Sequence, residues 1–181
     1  MSRLSIPSVD TAPEAAKPLL AAVNQQLGVV PNLMKVVAHS PAALEGYLSL
    51  NTALSRGVLA GHLRERIALG LAQYNGCDYC LSAHDYLGRN VAKLSPQDIT
   101  AARDFHATEA RTAAALSFTQ RVASKQGQVS DADLQAVRDA GYSEAEVIEL
   151  VLHVALNVLT NYVNNVAQTD IDFPVVQAHR A

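Results

Sequence analysis

Residues 63–91, LRERIALGLAQYNGCDYCLSAHDYLGRNV, decide the fold of this chain. In the first half of the stretch, Ile67, Leu71 and Tyr74 recur at helical spacing, up to an Asn-Gly pair at positions 75–76 that favours a break. A new helix can begin directly after this pair, at the two cysteines, and run to the end of the stretch. The sequence here therefore predicts two consecutive α-helices joined by a tight turn.

The rest of the sequence carries similar helix start and stop signals, while alternating runs of Val, Ile and Thr, typical of strands, are hard to find. Alanine, which has the highest helix propensity, is abundant. Ser143 and Glu146 have the spacing of a capping box that opens the longest helix. We therefore predict an all-α fold of about eight helices, over residues 13–28, 40–57, 63–74, 77–91, from 95, 109–126, 130–141 and 143–169, with a short segment at 33–38.

The length of 181 residues predicts one domain over residues 1–181, large enough to fold without disulfide bonds. Residues 1–12 are expected to form an N-terminal arm and residues 63–91 the helix pair that carries the cysteines. Pro174 disfavours helical geometry at the residue before it, so residues 170–181 are expected to form a non-helical tail.

Charge and hydropathy exclude several classes of protein. A net charge of −3 and a pI near 6.0 are not those of a dedicated nucleic-acid binder. The N-terminal residues show no apolar segment behind a basic start, and polar residues interrupt the longest apolar block, residues 147–166, so that it is expected to be a buried or interfacial helix. Two cysteines do not make a secreted disulfide scaffold, and we expect a cytoplasmic protein with no membrane or nucleic-acid partner.

The chemistry of the chain is concentrated in Cys77, Cys80 and His84, which share one helix face within about two turns. Helical Cα atoms three residues apart lie about 5 Å from each other, a separation that a reversible disulfide accepts. At the start of a helix, free N–H groups and the positive end of the dipole stabilise a thiolate. His84 is placed to take or relay the proton of Cys80.

Four interpretations of this pattern compete. A thioredoxin-like motif would follow a β-strand, which the sequence does not offer. A zinc site could use Cys77, Cys80, His84 and one carboxylate, although no second CxxC or close histidine pair completes it. Two buried cysteines with an incidental histidine are the plain structural alternative. A redox-active dithiol is the interpretation that the spacing favours.

The spacing of Glu65, eleven residues, Cys77-x-x-Cys80 and His84 resembles the signature of the AhpD-like alkylhydroperoxidases of the carboxymuconolactone decarboxylase superfamily. The flanking sequences VPNL at residues 30–33, NGCDYC at 75–80, NY at 161–162 and DFP at 172–174 are similar to the peroxidase-related branch of that superfamily. The resemblance covers most of the chain.

The resemblance implies an all-α AhpD-like domain that assembles into homo-trimers or homo-hexamers and reduces hydroperoxides. It implies that Cys80 attacks the peroxide, that Cys77 resolves the sulfenic acid as a disulfide, and that Glu65 and His84 relay the Cys80 proton. It also implies recycling by a dihydrolipoyl-type dithiol reductant, with no metal and no tightly bound cofactor. The alternative is a non-catalytic redox-sensing or structural helical oligomer, followed by a zinc-binding protein.

One residue departs from the family pattern: Tyr79 stands between the cysteines where well-known members have histidine. A phenol cannot act as an imidazole relay, but it can donate a hydrogen bond or pack. The quartet of Glu65, Cys77, Cys80 and His84 remains complete, and it disfavours decarboxylation, which does not use a redox pair.

Other polar residues are expected to be structural. His153, Asn157, Asn161 and Asn165 follow each other at intervals of four, with Asn164 beside them, and such a stripe more often binds neighbouring helices than substrate. Glu65 also has a plain structural alternative, an ordinary solvated carboxylate near Arg64 and Arg66. No role is assigned to the remaining histidines, His39, His62, His106 and His179.

Overall fold

The structure, a computed structural model, describes residues 2–179, and every regular element in that range is a helix. Within these residues a short 3-10 turn at Glu14–Ala16 precedes nine α-helices. These are α1 (Lys17–Leu27), α2 (Asn32–Val37), α3 (Pro41–Ser55), α4 (Gly61–Tyr74), α5 (Asp78–Asn90), α6 (Pro96–Arg103), α7 (Ala110–Ser124), α8 (Asp131–Asp139) and α9 (Glu144–Ala167). The predicted all-α fold is confirmed, and the segment at 33–38 forms the additional helix α2.

Serine side chains fix the starts of four helices. Ser40, Ser95, Ser130 and Ser143 each accept a hydrogen bond from the backbone N–H three residues later, and the last three form complete capping boxes. A cap of this kind contributes about 1 kcal/mol to stability. These local hydrogen bonds explain why these four helix starts were predictable from sequence alone.

The central helix is α4, which packs against α5, α6, α7 and α9. Its Leu69 and Ala72 join one apolar cluster with α1, α2, α3 and α5, while Ile67 and Leu71 join a second with α7, α8 and α9. At Gly70 a Cβ atom would lie 2.6 Å from Cε1 of Phe105 and 2.9 Å from a backbone oxygen of α6, so this crossing requires a residue without a side chain. Because α4 joins both clusters, it positions α5 against α9.

The predicted tail is non-helical as far as residue 179 and folds back over α5. Val176 N donates to Ser82 Oγ at 2.9 Å, and Ala178 N donates to Asp78 Oδ1 at 2.8 Å. The carboxylate of Asp172 accepts the backbone N–H of Asn32 at 2.8 Å, which brings the two flanking sequences of the family pattern together. The tail thus covers the helix that carries Cys80.

By length and composition alone, α9 is apolar enough to cross a membrane. It instead packs against α2, α3, α4, α5 and α7, and it buries His153, Asn157, Asn161 and Asn164. These contacts make α9 a core helix of the fold, as the sequence predicts. One row of apolar side chains on α9 stays exposed: Ile148, Leu152, Leu159, Tyr162 and Val166.

Candidate active site

The two cysteines are joined as a disulfide, with their Cα atoms 5.3 Å apart. Gly76 adopts a left-handed φ of 61°, which turns the chain between α4 and α5. Cys77 then caps the N-terminus of α5. The backbone N–H of Cys80 donates to Cys77 Sγ at 3.2 Å. The sequence predicts both sulfurs at the start of the helix; the structure places Cys77 at the cap and Cys80 in the first turn.

His84 and Glu65 form a pair across α5 and α4, with Nδ1 of His84 2.8 Å from Oε2 of Glu65. An acceptor at Nδ1 assigns the proton of a neutral imidazole to that nitrogen and leaves Nε2 as a proton acceptor. His84 lies one turn after Cys80 on the same helix. The geometry therefore permits His84 to accept a proton while Glu65 stabilises the charge that results.

A cavity of about 470 Å³ adjoins this pair, between α3, α4, α5 and α9. Burial, and then the charge of Glu65, raise the pKa of Tyr47 in its wall to about 12, so its phenol stays protonated and can donate. Neither cysteine lines the cavity, and Cys77 and Cys80 are 0% and 3% exposed. A molecule in this cavity meets His84 and Glu65 before it meets either sulfur.

The polar stripe of α9 divides between structural contacts and the site. Asn161 accepts a hydrogen bond from the Asn75 side chain at 2.8 Å, and Asn165 donates to the Asn75 backbone oxygen at 2.8 Å. Both therefore fasten the turn before Cys77. Asn164, one position away, donates its Nδ2 hydrogen to Cys80 Sγ at 3.3 Å.

The sequence did not predict the contact between Asn164 and Cys80. Its sequence separation from Cys80 is 84 residues, so the contact depends on how α9 packs against α5. The only signal in the sequence was its position beside the stripe.

His62, which was assigned no role, also lines the cavity of about 470 Å³, as do Arg64 of α4 and His153 and Asn157 of the stripe. Asn157 itself donates to the His153 backbone oxygen at 2.8 Å, a contact within α9. His39 instead binds the N-terminal segment, through the backbone oxygen and the hydroxyl of Ser5.

Tyr79 has a structural position between the two cysteines. Its hydroxyl accepts the backbone N–H of Leu33 at 3.1 Å, and its ring stacks edge-on against Phe173 with centroids 5.8 Å apart. Burial raises the pKa of this phenol well above its ordinary value. In place of an imidazole, Tyr79 therefore supplies a neutral side chain that joins α5 to α2 and to the tail.

Within residues 2–179 no three His, Cys, Asp or Glu side chains are grouped so that they could hold a metal ion. The zinc hypothesis needs Cys77, Cys80, His84 and a carboxylate on one ion. The two sulfurs are bonded to each other, and His84 Nδ1 is bound to Glu65. The arrangement is a disulfide at the start of α5, followed one turn later by a histidine whose Nδ1 is held by a carboxylate.

His153, in the cavity wall, is expected to make the stability of the protein depend on pH. Burial, and then the charge of Arg64, lower the pKa of His153 in the folded chain to about 4, from an ordinary value near 6.5. Between these values the unfolded chain binds a proton that the folded chain does not, so stability falls as pH decreases through this window. In His153→Gln, the loss of unfolding free energy between about pH 7 and about pH 4.5 should be smaller by about 2 kcal/mol.

Urea unfolding of wild type and His153→Gln at both pH values measures this difference. His106→Gln is the matched control, since the side chain of His106 is exposed. An acid loss in His153→Gln equal to that of wild type would contradict the prediction.

The site lies within a segment that matches a known family. Residues 41–123, which include all four residues of the predicted quartet, match the carboxymuconolactone decarboxylase family. A search of curated protein sequences finds no match.

Solved structures resemble the whole fold. The chain superposes on an uncharacterised peroxidase-related protein from Ralstonia eutropha JMP134, described as an alkylhydroperoxidase AhpD core, with a TM-score of 0.83 and 24% identity over 94% of this chain and 92% of that one. A peroxidase-related protein from Silicibacter sp. TM1040 gives 0.81 and 22% over 93% and 91%. A cysteine-to-alanine variant of the debrominase Bmp8, in complex with 2,3,4-tribromopyrrole, gives 0.77 and 19% over 95% and 92%.

The fold over the whole described chain is thus that of AhpD, and the segment that carries the site has the family sequence pattern. Residues 41–123 therefore belong to the carboxymuconolactone decarboxylase family, and the chain is AhpD-like in fold.

Proposed function

We propose that this protein is a dithiol peroxidase that reduces hydroperoxides. The observation that carries the proposal is the Cys77–Cys80 pair at the start of α5, with the hydrogen-bonded His84–Glu65 pair one turn further along. A thiol peroxidase needs a thiol nucleophile, a base that removes its proton and a second thiol that forms the disulfide. The peroxidase-related proteins with the same fold support this choice.

In the proposed cycle, the Cys80 thiolate attacks the distal peroxide oxygen and the O–O bond breaks. Cys80 becomes a sulfenic acid, and the alkoxide leaves as an alcohol after it takes a proton. The Cys77 thiol then displaces water from the sulfenic acid to form the disulfide. Two electrons have passed from the dithiol to the peroxide, and a reduced external dithiol restores both thiols by exchange.

The proposed role of His84 is to accept the Cys80 proton through Nε2 and to return it to the leaving oxygen. Glu65 holds Nδ1 of the same ring and stabilises the imidazolium that forms. Tyr47, with its phenol protonated in the cavity wall, can donate a hydrogen bond to the polar end of a bound peroxide.

We propose a dihydrolipoyl-type dithiol as the reductant and the cytoplasm as the compartment, because a reducing environment keeps the pair able to turn over. No bound cofactor enters this cycle. The exposed apolar row on α9, which includes Leu159, Tyr162 and Val166, supports assembly into a homo-oligomer, the trimer or hexamer that the family resemblance implies.

The proposal is tested in a single turnover, which needs no knowledge of the reductant. Fully reduced protein is mixed with one equivalent of cumene hydroperoxide or hydrogen peroxide, and the two free thiols and the cumyl alcohol are quantified with time. With cumene hydroperoxide we expect one cumyl alcohol formed for each dithiol lost, with hydrogen peroxide one peroxide consumed for each dithiol lost, and multiple turnovers once dihydrolipoamide is present. A mass decrease of about two hydrogens identifies the intramolecular disulfide.

A parallel reaction with 2,3,4-tribromopyrrole separates this function from the one that Bmp8 is named for. If tribromopyrrole oxidises the dithiol and releases bromide while hydroperoxides react no faster than with free dithiothreitol, the peroxidase proposal is wrong. If neither compound oxidises the dithiol, the non-catalytic alternative is favoured instead.

A further inference from the structure

Among the residues that the structure describes, Asn164 is the side chain that donates a hydrogen bond to a sulfur. Its Nδ2 lies 3.3 Å from Cys80 Sγ, and the residue is 3% exposed. Cys77 Sγ receives a backbone N–H, so the two sulfurs have donors of different origin. The donor to Cys77 belongs to the helix start, whereas the donor to Cys80 comes from α9.

Local packing does not account for an amide at position 164. Oδ1 of Asn164 is buried without a hydrogen-bond partner, and an unpaired buried acceptor costs stability. A leucine has a similar size and would avoid this cost in the same surroundings. The side-chain hydrogen bond that the structure gives this amide is the one from its Nδ2 to Cys80 Sγ.

The neighbouring amides of α9 differ in this respect. The Asn165 amide fastens the Asn75 backbone, and the oxygen of Asn161 binds the Asn75 side chain, so both stabilise the turn before Cys77. Asn164 makes no such contact with the turn; its donor is directed at the reactive pair.

From this geometry we infer that Asn164 stabilises the Cys80 thiolate in the reduced protein, by donating its Nδ2 hydrogen to Sγ. In a thiol as buried as Cys80, the charged form loses the water around it, which raises the pKa. A donor that bonds the charged form opposes this effect and makes the thiolate accessible near neutral pH. Asn164 is thus a residue that activates Cys80 as the nucleophile, and the inference rests on the proposed role of Cys80.

Asn164 and the His84–Glu65 pair favour the Cys80 thiolate in two different ways. His84 can remove the proton but leaves the sulfur with its negative charge, since the proton moves to the ring. Asn164 contacts the sulfur from α9, a different helix, and its uncharged amide can donate at any pH where the protein folds. Proton removal and charge stabilisation are therefore divided between two elements of the fold.

The test measures the pKa of Cys80 without any peroxide. In a Cys77→Ser background Cys80 is the sole cysteine, and its ionisation is followed by thiolate absorbance near 240 nm and by the pH dependence of iodoacetamide alkylation. Asn164→Leu and Asn164→Asp are compared in this background with Asn165→Ala, which removes an exposed amide that contacts no sulfur. Thermal unfolding of each variant is recorded in parallel.

We expect Asn164→Leu to raise the pKa of Cys80 by about one to two units, the size of a hydrogen bond to a charged group. Asn164→Asp should raise it at least as far, because a carboxylate adds a negative charge beside the sulfur. Asn165→Ala should leave it unchanged. Because the substitution removes the buried Oδ1 that has no hydrogen-bond partner, Asn164→Leu should unfold at the same temperature as its background or higher.

At a pH below the Cys80 pKa of both proteins, alkylation of Asn164→Leu should be about three- to tenfold slower than that of its background. The thiolate fraction is smaller, and the greater nucleophilicity of a thiolate with a higher pKa offsets part of this loss. An unchanged Cys80 pKa in both Asn164 variants would overturn the inference, as would an equal shift in Asn165→Ala. These outcomes are independent of peroxide consumption, so a failed peroxidase assay and a failed thiolate assay point to different errors.

Discussion

Replacing Cys80 with serine is expected to abolish dithiol-dependent peroxide reduction, a loss on the order of 10³-fold or more. A hydroxyl in place of the thiol cannot attack the O–O bond near neutral pH. The fold should survive, because serine is of similar size and its oxygen can accept the N–H that Asn164 donates. Peroxide consumption with saturating dihydrolipoamide measures the loss, and far-UV circular dichroism checks the fold.

Cys77→Ser is the matched control for this prediction, since it removes the other sulfur and leaves the first step intact. Serine is a good N-cap residue, so α5 should begin at the same place. This variant should reduce one equivalent of peroxide and then stop at a sulfenic acid on Cys80, which dimedone traps. If Cys77→Ser instead loses the first turnover while Cys80→Ser retains it, the nucleophile is Cys77, whose sulfur receives the helix N–H.

The local part of the site could be predicted from sequence because helical spacing alone determines it. Cys80 and His84 share a face of α5 and Cys77 caps its N-terminus, so the spacing along the chain keeps all three near one another. Glu65 is different, since it belongs to α4 and lies 19 residues before His84. Only the family pattern connected it with the cysteines, and an ordinary solvated carboxylate was the alternative that its neighbours left open.

Contacts between helices that are far apart in the sequence could not be predicted from the sequence. The amides of α9 look equivalent in the chain, yet Asn164 faces Cys80 while Asn165 is exposed. The difference depends on the rotation of α9 against α5, which many apolar contacts set together. The path of the tail is similar: Pro174 predicts the absence of a helix, but not that Ala178 binds Asp78 at the start of α5.

The Glu65–His84 pair is the second place where a substitution should have a large effect. His84→Gln removes the proposed acceptor of the Cys80 proton and should slow oxidation of the reduced protein by about 10²- to 10³-fold, the range of general acid–base catalysis. In Glu65→Gln the amide oxygen can still accept from Nδ1, but it carries no charge to stabilise an imidazolium. The loss should therefore be smaller, about ten- to a hundredfold.

Because Glu65 acts only through His84 in the proposed relay, the two substitutions should not be additive. The double variant should be about as slow as His84→Gln alone, whereas independent roles would multiply the two losses. Stopped-flow oxidation of each reduced variant by excess cumene hydroperoxide gives the rates without a contribution from the reductant. Glu45→Gln, which removes an exposed carboxylate on α3, is the control and should match wild type. Losses that multiply in the double variant would show that Glu65 contacts the substrate or the sulfur by a route of its own, and that the proposed relay is wrong.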